Sequence, residues 1–205
     1  MNLRTLLPAM LAMFILFSCT KESFRDKREV TQSDPEARRT DAITGYTTYI
    51  IRKGQHYSDK RPLKSVSTAE MKFYAKFDQS AVYTTVNPDN QYDINKLWGF
   101  SEGFSNQYNS ARIGWGYNNG AIRLYGYVYA KGVRYYKEIT TVVPGGDVYC
   151  SIKVSGSSYI ITAAGVSITL PRGTTSGKAN GYQQYPYFGG DEVAPHDIYI
   201  YIKPV

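Results

Sequence analysis

The chain has 205 residues, 42% of them hydrophobic, which suits one domain with a full core and is too short for a typical two-domain enzyme. Its two cysteines, Cys19 and Cys150, exclude a disulfide framework, a zinc knuckle and an iron–sulfur site on ligand number alone. The net charge of +7 is spread thinly, since residues 46–205 carry 17 Lys and Arg against 11 Asp and Glu with no basic run longer than two, so nucleic acid is not expected as a partner.

Residues 1–19 read as an export signal, with Arg4 before an apolar stretch from Leu6 to Phe17 that is short for a bilayer span. The stretch ends in Leu16-Phe17-Ser18-Cys19, which looks like the lipobox of bacterial lipoproteins and marks Cys19 as the lipidation site. The expected location is the bacterial cell envelope, held to the outer membrane by an N-terminal lipid and facing the periplasm or the surface. Residues 20–43 mix charges around a single aromatic, Phe24, and form a tether that buries too little apolar area to order. All 20 Tyr follow it, so the folded domain spans 44–205.

Within the domain the apolar period is two. Strands are predicted over 71–77, 94–101, 110–117, 122–130, 133–143, 147–154, 159–162, 166–170, 182–188 and 198–203. Asn118-Asn119-Gly120, Lys131-Gly132, Pro144-Gly145-Gly146 and Ala164-Gly165 supply turns between them. Short antiparallel strands with no convincing helix give an all-β fold, a two-sheet antiparallel β-sandwich of the jelly-roll kind.

Parity then selects candidate site residues. On 122–131, Ile122, Leu124, Gly126, Val128 and Ala130 share one face, and Arg123, Tyr125, Tyr127, Tyr129 and Lys131 share the other. Phenol rings offer flat apolar faces to sugars, and cations bind their carboxylates or sulfates. Asn95, Arg112, Arg123, Tyr125, Tyr127, Tyr129, Tyr187 and His196 are therefore the candidate ligand-binding set, for a polysaccharide or oligosaccharide that includes anionic ones. Asp191, Glu192 and Asp197, with nearby turn carbonyls, are a candidate calcium site. Cys150 shares its strand face with Val148, Ile152 and Val154 and is expected to be a buried thiol. With only His56 and His196 there is no histidine metal cluster, and no strand shows the alternating acidic pattern of a retaining glycosidase.

Asn95-Lys96-Leu97-Trp98-Gly99-Phe100-Ser101, Ser110-Ala111-Arg112-Ile113-Gly114-Trp115 and the segment 185–198 together resemble a family of bacterial surface or periplasmic lipoproteins with a β-sandwich domain. The likeness covers residues 45–204 and assigns no activity. More broadly, the architecture resembles the concanavalin A-like jelly rolls of lectins, laminarinase-type glycosidases and alginate-lyase-type enzymes. The lyase motifs Arg-Ser/Thr-Glu-Leu, Gln-Ile/Val-His and Tyr-Phe-Lys-Ala-Gly are missing, echoed only by Ser110-Ala111-Arg112-Ile113 and Tyr129-Ala130-Lys131-Gly132. The resemblance implies a lipid-anchored carbohydrate-binding sandwich, with a polysaccharide lyase as one alternative and a non-catalytic adhesion or assembly subunit as another.

Overall fold

In the computed structural model, which describes residues 45–205, the period-two pattern becomes two six-stranded antiparallel sheets. The first runs β1 (Thr47–Ile51), β12 (Ile198–Pro204), β3 (Glu70–Phe77), β8 (Asp147–Ser155), β9 (Ser158–Ala163), β10 (Val166–Pro171). The second runs β2 (Ser65–Thr68), β11 (Ala179–Gln184), β4 (Asn95–Ser101), β5 (Ser110–Asn118), β6 (Ala121–Ala130), β7 (Val133–Val142). Cys19 and the segment 20–43 lie outside the described residues.

The core is the layer between the sheets. Phe73, Ala75 and Phe77 of β3 and Ile200 and Ile202 of β12 meet Ala111, Ile113 and Trp115 of β5 and Leu124 and Val128 of β6, all buried. Gly126 is part of the same inner face, and a methyl group there would collide with Ile168 and Leu170 of the facing sheet. Cys150 is wholly buried in this layer, and burial drives its thiol pKa far up. The hairpin between β5 and β6 turns through Asn119 and Gly120 at φ 49° and 74°, a geometry that Asn-Gly adopts with little strain.

Two departures from the simple alternation bear on the site. A bulge between Lys96 and Trp98 lets Leu97 and Trp98 both enter the core while Lys96 points outward. The expected strand over 182–188 stops at Gln184, because Pro186 has no N–H to extend the ladder. The chain returns for an isolated bridge, in which the Lys96 and Tyr187 backbones exchange hydrogen bonds of 2.8 and 2.9 Å.

Candidate functional site

The face of the second sheet turned away from the core holds a cleft of about 460 Å³. Lys96 of β4, Arg112 of β5, Tyr127 and Tyr129 of β6 and Gln184 of β11 rise from the sheet into it. Asn106 and Gln107 from the β4–β5 loop, Tyr185 and Tyr187 after β11, and Tyr57 and Arg61 after β1 complete the walls.

Arg112 is 7% exposed, yet among the described residues no carboxylate pairs with it. Its Nη2 donates to the Asn106 carbonyl at 3.3 Å and lies 3.5 Å from Ser110 Oγ, while its buried Nε has no partner. The guanidinium sits 5.4 Å from the centre of the Tyr127 ring. Burial pulls its pKa downward, and the Tyr127 and Tyr129 phenols oppose that pull. Gly99 lies opposite Arg112 in the ladder, and the lack of a side chain there leaves room for the Arg112 side chain.

Lys96 Nζ lies 4.8 Å from the Tyr127 ring centre and 5.8 Å from that of Tyr187, and it donates to the Ile94 carbonyl at 2.7 Å. Burial first, and the positive charge of Arg112 second, push its pKa down to about 8, with Asp93 opposing. A methyl group on Gly189 would meet Lys96 Nζ at 2.5 Å, so the Gly189-Gly190 turn fits closely over the amine. Tyr187 is itself braced by the stacked His56 ring at 5.3 Å and by Tyr57, edge-on at 4.9 Å. The cleft thus sets three cations, Arg61, Lys96 and Arg112, among tyrosine walls, and no Asp or Glu is among its lining residues.

Of the eight expected ligand-binding residues, Arg112, Tyr127, Tyr129 and Tyr187 meet in this cleft. The other four do not. Asn95 falls on the core side of the bulge, where it is fully buried, donates to Tyr83 at 2.9 Å and accepts from the Gly189 N–H at 2.7 Å. Arg123 has the expected parity but belongs to the hairpin end of β6, paired with Asn118 at 2.7 Å and Glu138 at 2.8 Å. Tyr125 sits beside them, buried under the same cluster and outside the cleft lining. His196 bonds the Ser80 carbonyl at 2.8 Å through Nε2 and holds the short helical turn Gln79–Ala81.

The expected calcium ligands are likewise dispersed among other partners. Glu192 accepts from the Val86 and Asn87 N–H groups at 2.8 and 2.7 Å, and Asp197 pairs with Arg52 at 2.8 Å and accepts from the Lys53 N–H. Asp191 is exposed, and no group of three potential ligands assembles among the described residues. The segment 185–198 instead sets its Tyr187 bridge and its Gly189-Gly190 turn against Lys96 before running on to β12. Lys96, Tyr57, Arg61 and Gln107 were not singled out by parity, since the first is hidden by the bulge and the rest come from loops.

No protein-family model and no curated protein sequence matches the chain. Solved structures do match its fold. Alginate lyase AlyC3 aligns over 78% of this chain and 74% of its own, with a TM-score of 0.53 at 7% identity. The laminarinase catalytic domain from Thermotoga petrophila aligns over 79% and 76% with a TM-score of 0.48 at 12% identity, and LamAcat from Zobellia galactanivorans over 78% and 76% with 0.47 at 12%. The fold is a concanavalin A-like jelly-roll sandwich.

Proposed function

We propose that the chain binds an anionic polysaccharide in this cleft, and that Cys19 carries the lipid that anchors it to the bacterial envelope. The observation that carries the binding reading is Arg112, a buried guanidinium with an unpartnered Nε and, among the described residues, no acidic partner. An uncompensated buried charge is destabilising by several kcal/mol, as an order of magnitude, and a sugar carboxylate or sulfate would offset it. Arg112 and Lys96 both lie over the buried Tyr127 ring, so an anionic group at them gains charge-assisted contacts while its sugar ring lies against Tyr129 and Tyr187, the partly exposed phenols of the cleft. The fold-level likeness to an alginate lyase makes polyuronates the first class to try.

Calorimetric titration with alginate, polygalacturonate and glycosaminoglycans, beside neutral laminarin as the control, tests it. Binding of a polyanion that falls at least tenfold in Arg112→Ala, with an unchanged far-ultraviolet spectrum, is the expected result, tenfold being the loss of one well-formed contact. Equal affinity for laminarin, or no effect of Arg112→Ala, removes the reading.

Lys96 favours a second reading, eliminative cleavage. An amine with a pKa near 8 is available at mildly alkaline pH to take the C5 proton of a uronate, made acidic by Arg112 neutralising its carboxylate. The C4–O bond then breaks, the electron pair forms the C4–C5 double bond, and the departing oxygen takes a proton from solvent. Absorbance from unsaturated product, lost in Lys96→Gln, supports cleavage, and a flat trace on every polyuronate leaves binding alone. Hydrolysis by paired carboxylates has no support from a cleft lined without Asp or Glu.

A further inference from the structure

The cleft continues past Gln184 into a second depression of about 310 Å³, and the two share Arg61, Gln183, Gln184 and Tyr185. Its chemistry changes there from cationic to apolar. Phe104 stands 92% exposed at the end of this depression and Leu63 86% exposed beside it. The Phe104 ring centre is 5.4 Å from that of Tyr182 with the planes tilted by 35°, so the pair forms a shelf open to solvent.

The loop that carries Phe104 is tied down. Gly103 N–H donates to the Asn180 carbonyl at 2.8 Å, Glu102 N–H to the Asn109 carbonyl at 2.8 Å, and Asn106 Nδ2 to Gln184 Oε1 at 3.3 Å. A phenylalanine presented to water by an anchored loop, at the mouth of a polar cleft, with 92% of it exposed beside the tilted Tyr182 ring, adds little to the domain's own packing. Adjacent exposed apolar residues of this kind mark a contact surface. A flat ring with one side free matches the C–H face of a pyranose.

We propose that the Phe104–Tyr182 shelf is a further sugar subsite, occupied by a later residue of the same polysaccharide strand whose anionic group lies at Arg112. The inference rests on the binding reading above. Continuity of the groove identifies the occupant, because a strand leaving the cleft along Gln184 passes directly onto the shelf. Arg61 stands where the depressions join, its Cζ 4.4 Å from the Tyr57 ring centre, and offers a cation at the crossing. Phe104, Tyr182, Leu63 and Pro62 are uncharged, so the shelf reads length and ring shape where Arg112 reads charge.

Size-defined oligouronates from alginate and polygalacturonate, disaccharide upward, test the shelf by calorimetry on the wild type and on Phe104→Ala, Phe104→Trp and Arg112→Ala. Wild-type affinity should climb with length. Phe104→Ala should match it on the shortest oligomers and fall about tenfold behind on the long ones, the size of one stacking contact, with Phe104→Trp restoring the gain. Arg112→Ala should weaken binding at every length. Phe104→Ala tracking the wild type at all lengths overturns the shelf and leaves the Arg112 reading standing. A wild type that binds no oligouronate of any length overturns that reading and the shelf with it. Sedimentation showing a wild-type dimer that Phe104→Ala dissolves would assign the shelf to a second copy and also overturn the proposal.

Discussion

Gly99 faces Arg112 across the β4–β5 ladder, and a methyl group on Gly99 would lie 2.7 Å from the Arg112 Cα and 2.1 Å from the Ala111 carbonyl oxygen. The backbone and the buried cation therefore share one space. Gly99→Ala should destabilise the domain by about 1–3 kcal/mol through local overpacking and lower polyanion affinity together with it. Gly177→Ala, with nothing within 4 Å of the added carbon, should change neither. Thermal melts and titrations on both variants check this, and a Gly99→Ala protein identical to wild type would show that the ladder yields without moving Arg112.

Lys96 predicts two pH effects of opposite consequence. Its folded pKa of about 8 is below that of a solvated lysine, so between those values the unfolded chain binds more protons and this group's contribution to stability rises with pH. Polyanion binding goes the other way, because Lys96 loses its charge as pH passes 8 and affinity should fall. Binding at pH 8 should also draw a proton onto Lys96. Calorimetry in buffers of different ionisation enthalpy measures that uptake, and Lys96→Gln should abolish it.

Glu102 and Arg172 form a buried clasp between the sheets. Arg172 Nε and Nη2 donate to the two Glu102 oxygens at 2.6 and 2.9 Å, Thr174 adds a bond of 2.7 Å, and Tyr159 of β9 donates its hydroxyl to the same carboxylate. Burial alone would raise the Glu102 pKa, but these partners outweigh it and hold the carboxyl below its ordinary range. The stabilisation is present above that range and is lost as pH falls through the folded value. Arg172→Ala, which strands the carboxylate, should cost about 3–5 kcal/mol and roughly 10 °C in Tm. Glu102→Gln should make the acid limb of the stability curve shallower.

Cys19→Ser should abolish fatty-acid labelling and detergent partitioning of the protein expressed in a bacterial host. Label that persists on the serine variant would remove the lipid anchor from the proposal.

The sandwich was legible wherever alternation ran unbroken. Ile113 and Trp115 inward with Arg112 outward, and Leu124 and Val128 inward with Tyr127 outward, follow from parity alone. Lys96 shares its sequence parity with Trp98 and Phe100, so only the bulge, a backbone event without a sequence mark, puts it opposite them. Asn95 was drawn into the wrong layer by the same event. Parity also says nothing of how deep an outward side chain lies. Tyr127 reads as a half-exposed platform, but Lys96, Arg112 and Tyr129 pack around it and leave it 4% exposed, so Tyr127→Ala should cost several kcal/mol rather than little.

The Glu102 clasp sits at the root of the loop that supplies Phe104, Asn106 and Gln107. Its anchor reaches the opposite sheet, while its tip meets the cleft, β11 and, through the Tyr108 carbonyl, the Gly132 N–H of the β6–β7 turn. With Gly103 at φ 76° and Tyr108 bonded to Gly132, the side chains at 104–107 are the ones that can diverge with little consequence for folding, and related chains could retune ligand preference by drift in this tetrapeptide while Glu102, Arg172 and the sandwich stay fixed. A combinatorial library confined to those four positions, sorted first for foldedness and then for glycan preference, should yield many folded members with differing tastes in sugar.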